Sequence, residues 1–400
     1  MNSSREVAIE IARSLREAGH EALLAGGCVR DEAMGRSPKD WDVATSAAPD
    51  AVAALFRGAL GVGASFGVML VRRSGFIIEV ATFRTDGRYG DHRRPESVEF
   101  SDARHDAMRR DFTINGLFRD PESGDIIDHV GGLADLEAGV IRAIGAPKDR
   151  FDEDHLRMLR AVRFAAVLDF EIDPATAAAI KEHAGEIDGV SRERVGQEMH
   201  RMLCDAGAVR AMTLLRELDL ESAVFGAVHH STLRHLQASV DSDLDWPSRL
   251  AALAVDHAVD QDGIRTSWTP ALVLSNAVRD AACGVLNTLD ALDCWHAMNV
   301  AERRRCAGRA AFTAAVCLHA VDCPGQAPSI RLAADAWAAL DEGILPRRLL
   351  DGHALLDAGV PAGAGLGVLM EAIYDAQLEG TVHTRDTALK LLRSLRDSAN

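Results

Sequence analysis

Asp40 and Asp42 stand two residues apart in the segment Lys39-Asp40-Trp41-Asp42, shortly after the pair Gly26-Gly27 and Arg30. Two carboxylates at this spacing on a strand face the same side, roughly 6.6 Å apart along the chain. That arrangement suits bracketing of Mg²⁺ ions in a two-metal phosphoryl-transfer site. A Gly-Gly turn after a strand lets backbone N–H groups approach a phosphate, and the following helix points its positive end there. Arg30, one helical turn in, reaches the same phosphate. Either motif alone is weak: Gly-Gly is usually just a turn, and with 60 acidic residues Asp-x-Asp arises often by chance. The ordered set is far more specific. Glu79, mid-strand in FIIEVAT with apolar residues on both sides, is a candidate third carboxylate. A charge there is expensive unless paired or metal-bound; the alternative is an edge strand facing solvent.

Two further constellations follow. Arg109-Arg110-Asp111-Phe112-Thr113-Ile114-Asn115 places two arginines, an Asp and an Asn on one short segment, which suits triphosphate and ribose recognition. Alone it would read as a salt-bridged helix start. In the helical stretch from Glu153, the residues Asp154, Arg157, Arg160 and Arg163 step by three and drift about 60° per step. They fill one half of the helix surface, while Leu156, Met158, Leu159, Val162, Ala165 and Ala166 fill the other. Such a stripe is ordinarily a solvated face, but three arginines with almost no lysine weaken that reading. A carboxylate accepts from an exocyclic amine and a guanidinium donates to ring nitrogens and carbonyls, so Asp and Arg together can read a nucleotide base by protein alone.

The elements that must position these groups divide the chain in two. The first 140 or so of its 400 residues read as mixed α and β. After an opening amphipathic helix come a buried strand at 21–25, a helix start at Val29, a strand at 42–45 and a helix at 49–56. A hairpin joins 67–73 to 76–84 around Ser74-Gly75, and short strands follow at 97–100 and 124–132. The polar stretch 85–97 reads as a mobile loop. From about 150 the pattern is helical to the end, with no strand, and with breaks near 240–247 and 322–329 and a Gly/Pro-rich stretch at 343–367. The fold class is α+β: a head with a mixed β-sheet, then an all-α remainder.

Composition narrows the function. No apolar run reaches the roughly 18–20 residues of a membrane span, and the charged opening helix is not a signal peptide. Seven cysteines without a Cys-x-x-Cys or Cys/His cluster fit reduced thiols in a cytoplasmic protein. The formal charge of −16 argues against a nucleic-acid partner, but the basic residues cluster between Arg72 and Arg110 and between Arg142 and Arg163. A local basic surface binds phosphates on an acidic protein.

The segments LLAGGCVRDEAMG, DWDVATSAAP, ATFRTDGRYGDHRRPESVEF, MRRDFTING and DEDHLRMLRAVRFAA closely resemble, in order and spacing, those of class II tRNA nucleotidyltransferases, the bacterial CCA-adding enzymes, and their poly(A) polymerase relatives. The likeness is strong over about 20–200 and weaker near the C-terminus, in LLDGHALLDAGVPAGAGLGVLMEAI. It implies a polymerase-β-like nucleotidyltransferase head at 1–140, a helical neck at 141–205, a body at 206–325 and a tRNA-binding tail at 326–400. It implies that Asp40 and Asp42 hold Mg²⁺, with Glu79 as third carboxylate, and that Gly26, Gly27, Arg30, Arg110 and Asn115 bind the nucleotide. Asp154 and Arg157 match the pair that reads CTP or ATP; Arg160 and Arg163 match further nucleotide-binding arginines. The stretch 85–97 resembles the family's flexible loop, which favours addition of the full CCA, or of A alone, to the tRNA acceptor end. The segment GVGASFGVMLV lacks the Gly-basic-basic-Phe pattern of the poly(A) polymerases, and the helical half has no His-Asp dipeptide of the phosphohydrolase type. Gly116 stands where the family usually has Ala. The implied reaction is attack of a tRNA 3′-hydroxyl on the α-phosphate of CTP or ATP, with no protein partner and no membrane. An A-adding enzyme, a poly(A) polymerase and a non-catalytic RNA-binding protein remain as alternatives.

Overall fold

The computed structural model describes residues 3–61, 67–87, 98–226 and 232–397. Residues 88–97 of the expected loop, and 62–66 of the segment compared with the poly(A) polymerases, lie outside them. The chain forms two compact units: Met1–Val228 with Pro270–Val273, and His229–Thr269 with Leu274–Asn400.

The first unit opens with α1 (Ser4–Glu17), started by a reciprocal capping box between Ser3 and Glu6. Val7, Ile11 and Leu15 recur at helical spacing and are fully buried against the sheet. The strands are β1 (Ala22–Ala25), β2 (Asp42–Thr45), β3 (Leu60–Gly61), β4 (Val68–Arg73) and β5 (Phe76–Thr82), then, after two short strands, β8 (Leu117–Arg119) and β9 (Ile126–Asp128). Among the described residues they form a seven-stranded sheet in the order β3-β4-β5-β2-β1-β8-β9. Its pairs are antiparallel except β2 with β5. The turn between β4 and β5 has both Ser74 and Gly75 at positive φ, which matches the right-handed twist of a hairpin. Helices α2 (Gly27–Ala33) and α3 (Pro49–Leu55) interleave with the first strands, and α4 (Ala103–Met108) follows the β6/β7 pair (Arg84–Asp86, Val98–Phe100). Phe83, Phe118, Ala103 and Ala107 make a second cluster. After α5 (Gly132–Ala138) and β10 (Val140–Ile141) come α6 (Pro147–Glu153), α7 (Leu156–Leu168), β11 (Glu171–Ile172), α8 (Pro174–His183), α9 (Arg192–Leu203), α10 (Ala208–Glu217) and α11 (Leu220–Phe225).

Three expectations are corrected. The strand carrying the Asp-x-Asp motif begins at Asp42, so Asp40 precedes it rather than sharing its pleat. The helical half is not strand-free: Val140 and Ile141 pair in parallel with Glu171 and Ile172. The continuous helix read through Glu153–Arg163 is two helices. Asp154 sits between them in extended conformation, φ −153° and ψ 101°, and its Oδ1 accepts the Leu156 N–H. An Asp that bonds a first-turn N–H competes with helix continuation, which stops the chain here.

The second unit is helical throughout its described residues, beginning with α12 (Arg234–Asp241) and α13 (Trp246–Asp256). His235 is buried there between the carboxylates of Asp256 and Asp322, at 2.9 and 3.0 Å. Toward the C-terminus Leu355, Ile373, Ala388 and Leu392 centre a small core. No helix among the described residues is long and apolar enough to cross a membrane.

Candidate active site

Strand pairing assembles the cleft. Because β1 runs antiparallel to β2 with Leu24 opposite Val43, the chain leaves β1 into Gly26-Gly27 beside the start of β2 at Asp42. Because β2 runs parallel to β5, Asp42 and Glu79 are register partners on adjacent strands. Both, with Asp40, line a cleft of about 860 Å³ in the first unit. All the other residues singled out from the sequence line it too: Gly26, Gly27, Arg30, Arg110, Asn115, Asp154, Arg157, Arg160 and Arg163.

Nine arginines and five carboxylates face this cleft, so it is a basic pocket on a chain of formal charge −16. The acidic end carries a mutual repulsion. Burial, then the neighbouring charge of Glu79, raise the Asp42 pKa to about 6, although Arg110 pulls against them. Glu79 is exposed to the cleft, and the protein around it still raises its pKa by desolvation, against the pull of Arg110 and Arg84. Oxygen donors that resist ionising together are the donor set a hard divalent cation relieves.

Gly26 at φ +75° is the turn that a side chain would block: a Cβ there would lie 2.8 Å from Arg110 Nη1. Arg110 donates to Asp106 Oδ2 through Nε and Nη2 (3.2 and 3.0 Å) and to the Asn115 carbonyl at 3.1 Å. Arg30, 8% exposed, donates through Nη1 to Asn115 Oδ1 at 2.6 Å. Asn115 in turn donates to Asp111 Oδ1 at 3.0 Å. At Gly116 a Cβ would lie 2.6 Å from Val130 Cγ2, so Ala there would need the Val130 side chain to shift.

Asp111, read from the sequence only as one member of the Arg109–Asn115 segment, organises the next layer. Its Oδ2 takes both Nε and Nη2 of Arg160, at 2.8 and 2.6 Å. Burial alone would raise its pKa, but Arg160 and the Asn115 hydrogen bond outweigh burial and hold it at about 2. Phe164 is an unread residue: the guanidiniums of Arg30, Arg160 and Arg163 lie 5.2, 5.3 and 4.2 Å from its ring centre. A ring face attracts cations and here sets three of them at one level. Arg157 is held by Glu153 and by the carbonyls of Arg150 and Arg109. Asp154 receives both Nη1 and Nη2 of Arg194, at 3.1 and 2.7 Å, and Arg163 is held by Glu198 on α9. Arg194 and Glu198 come from a helix some 40 residues away, where only an Arg- and Glu-rich amphipathic pattern marked them. Each side chain at the far end of the cleft is thus fixed by a partner of opposite charge or by a carbonyl.

Residues 22–142 match the poly A polymerase head domain, and residues 169–230 match the probable RNA and SrmB-binding site of polymerase A. A CCA-adding enzyme of Lactobacillus johnsonii is 33% identical over 389 residues, covering 97% of this chain and 96% of that protein. One from Geobacillus kaustophilus is 40% identical over 292 residues, 71% of this chain and 70% of its own length. The crystal structure of the Bacillus stearothermophilus CCA-adding enzyme in complex with CTP superposes with a TM-score of 0.81 at 28% identity, over 100% of this chain and 99% of that one. The Thermotoga maritima CCA-adding enzyme complexed with tRNA shares the fold at 18% identity, with a TM-score of 0.72 over 97% and 94% of the two chains.

Proposed function

The chain belongs to the CCA-adding enzymes, a family of nucleotidyltransferases, and on that premise we propose that it builds the complete 3′-terminal CCA of tRNA from CTP and ATP. The observation that carries this reading is one cleft with three carboxylates at one end and arginines paired to fixed partners at the other. The loop at 85–97, complete in sequence, favours addition of the full CCA or of A alone.

Asp40 and Asp42, with Glu79 beside them, would hold the divalent cation, Mg²⁺ in this reading. Bound there, it would supply charge neutralisation at the α-phosphate and lower the pKa of the attacking 3′-hydroxyl. The protein's own groups do the rest. Gly26 and Gly27 leave the backbone open to the triphosphate. Arg30 and Arg110 offset its charge, and their partners Asn115 and Asp106 keep them from collapsing onto the carboxylates. Asp154 accepts from the exocyclic amine that C and A share, and Arg157 donates to the adjacent ring nitrogen or carbonyl. Because Arg194 and Glu153 already fix these two side chains, selection rests on a preformed pattern.

The test uses three tRNA transcripts, ending at the discriminator base, at C and at CC, each offered CTP, ATP or both. Three additions to the first transcript are expected. A single A added only to the CC-ended transcript would make this an A-adding enzyme, and long A tails a poly(A) polymerase.

A further inference from the structure

A second group of ligand-type side chains lies in the same unit but outside the cleft. Asp152 at the end of α6, His183 at the end of α8 and Glu186 in the turn after it bring one donor atom each within 4.8 Å of one another. His183 Nδ1 is 2.9 Å from Glu186 Oε2 and 3.8 Å from Asp152 Oδ1. His155, at the start of α7, turns its own Nδ1 to the same Glu186 oxygen at 3.2 Å. Both imidazoles are buried, at 5% and 6% exposure, while the two carboxylates are about half exposed. His183 Nε2 is buried without a hydrogen-bond partner. All the polar chemistry of that ring is therefore on the Nδ1 edge that faces the carboxylates. A neutral imidazole is the metal-binding form.

We propose that Asp152, His183 and Glu186, with His155 alongside, form a site for a first-row divalent transition metal of the Zn²⁺ class. Mixed imidazole and carboxylate donors suit such ions, whereas Mg²⁺ prefers an all-oxygen set like that of the cleft. Coordination through Nδ1 requires the ring proton of His183 on Nε2, where the buried N–H finds no hydrogen-bond partner among the described residues, and this cost is subtracted from the metal–nitrogen bond. Both carboxylates are about half exposed, which gives the ion an entry path. The site also has a mechanical consequence. Asp152 and His155 bracket Glu153 and Asp154, so an ion held there pins the break between α6 and α7. This consequence, unlike the site itself, rests on the reading of Asp154 as a base-contacting residue.

The experiment titrates the full chain with Co²⁺, and separately with Zn²⁺, in excess Mg²⁺ to occupy the cleft carboxylates. One equivalent is expected, with a visible Co²⁺ absorption band of low-coordinate type. Glu186→Gln and His183→Gln are each expected to weaken binding by at least tenfold, about the loss that even outer-shell changes cause at metal sites. Glu186 is solvent-facing, so Glu186→Gln keeps the test valid if the buried His183→Gln variant unfolds. Absence of a Co²⁺ band, or an isotherm that Glu186→Gln leaves unchanged, overturns the proposal. The pinning is tested apart, as slower hydrogen exchange across 152–157 with Zn²⁺ present. Metal binding without slower exchange refutes the pinning alone, and neither readout depends on nucleotide transfer.

Discussion

Removing the Asp111 charge tests how the cleft arginines are held. In the cleft, Asp111 is 8% exposed, and both of its oxygens are engaged. Its carboxyl is held at about 2 against an ordinary 3.8, which converts to roughly 2.5 kcal/mol of stability at neutral pH. The folded value is depressed, so this stability is present above about 4 and lost as pH falls toward 2. A second route gives a similar figure: breaking a buried ion pair by removing one partner costs about 3–5 kcal/mol, reduced here because Arg160 is 31% exposed. A double-mutant cycle of Asp111→Asn, Arg160→Met and the pair should return a coupling of about 2–3 kcal/mol. The assay must isolate the first unit. Trp246, Trp268, Trp295 and Trp337 all lie in the second, leaving only Trp41 in the first. Whole-chain fluorescence would report mainly the wrong unit, so native-state hydrogen exchange of α7 peptides is the measurement. A coupling below about 0.5 kcal/mol would show an idle contact and refute the reasoning.

Three other outcomes follow. Asp42→Asn should abolish turnover yet stabilise the metal-free protein by about 2 kcal/mol at alkaline pH, scaled down from the full shift because water reaches the cleft. Its folded pKa of about 6 lies above the ordinary 3.8, so the gain should vanish below about 4 and grow as pH rises through 6, as thermal melts across pH would record. Gly26→Ala should displace Arg110 and lower kcat/KM for the nucleotide by about tenfold while circular dichroism stays unchanged; parental kinetics would remove Arg110 from triphosphate binding. His235→Asn should destabilise the second unit more on the acid side than at alkaline pH. Burial lowers the His235 pKa, but Asp256 and Asp322 outweigh it and raise it above 6.5, so its contribution is full below 6.5 and is lost as pH rises through the higher folded value. An equal loss across pH, seen by tryptophan fluorescence, would contradict this.

Most of the head was legible because its signals are local. β2 spans the residues expected, 42–45, and the β4/β5 hairpin turns at Ser74-Gly75 as read, since alternation and turn chemistry are both written in consecutive residues. β8 was not read, because three residues after a glycine carry too little pattern. The break at Asp154 was hidden because Phe151 in α6 and Leu156 in α7 are both buried, so apolar periodicity runs on through it. Its signal was there in the Asp itself, a helix-starting residue placed just before the buried stripe. The partners Arg194 and Glu198 had no such signal. They meet Asp154 and Arg163 only because α9 packs on α7, which is tertiary information.

The central claim is that this cleft transfers nucleotides to tRNA. Single-turnover incorporation on a tRNA transcript ending at the discriminator base, with CTP, ATP and Mg²⁺, tests it most directly when run beside the Asp40→Ala/Asp42→Ala variant. The account predicts full CCA addition by the parent, and no incorporation by the variant with tRNA affinity retained. Incorporation by the variant at the parental rate would contradict it.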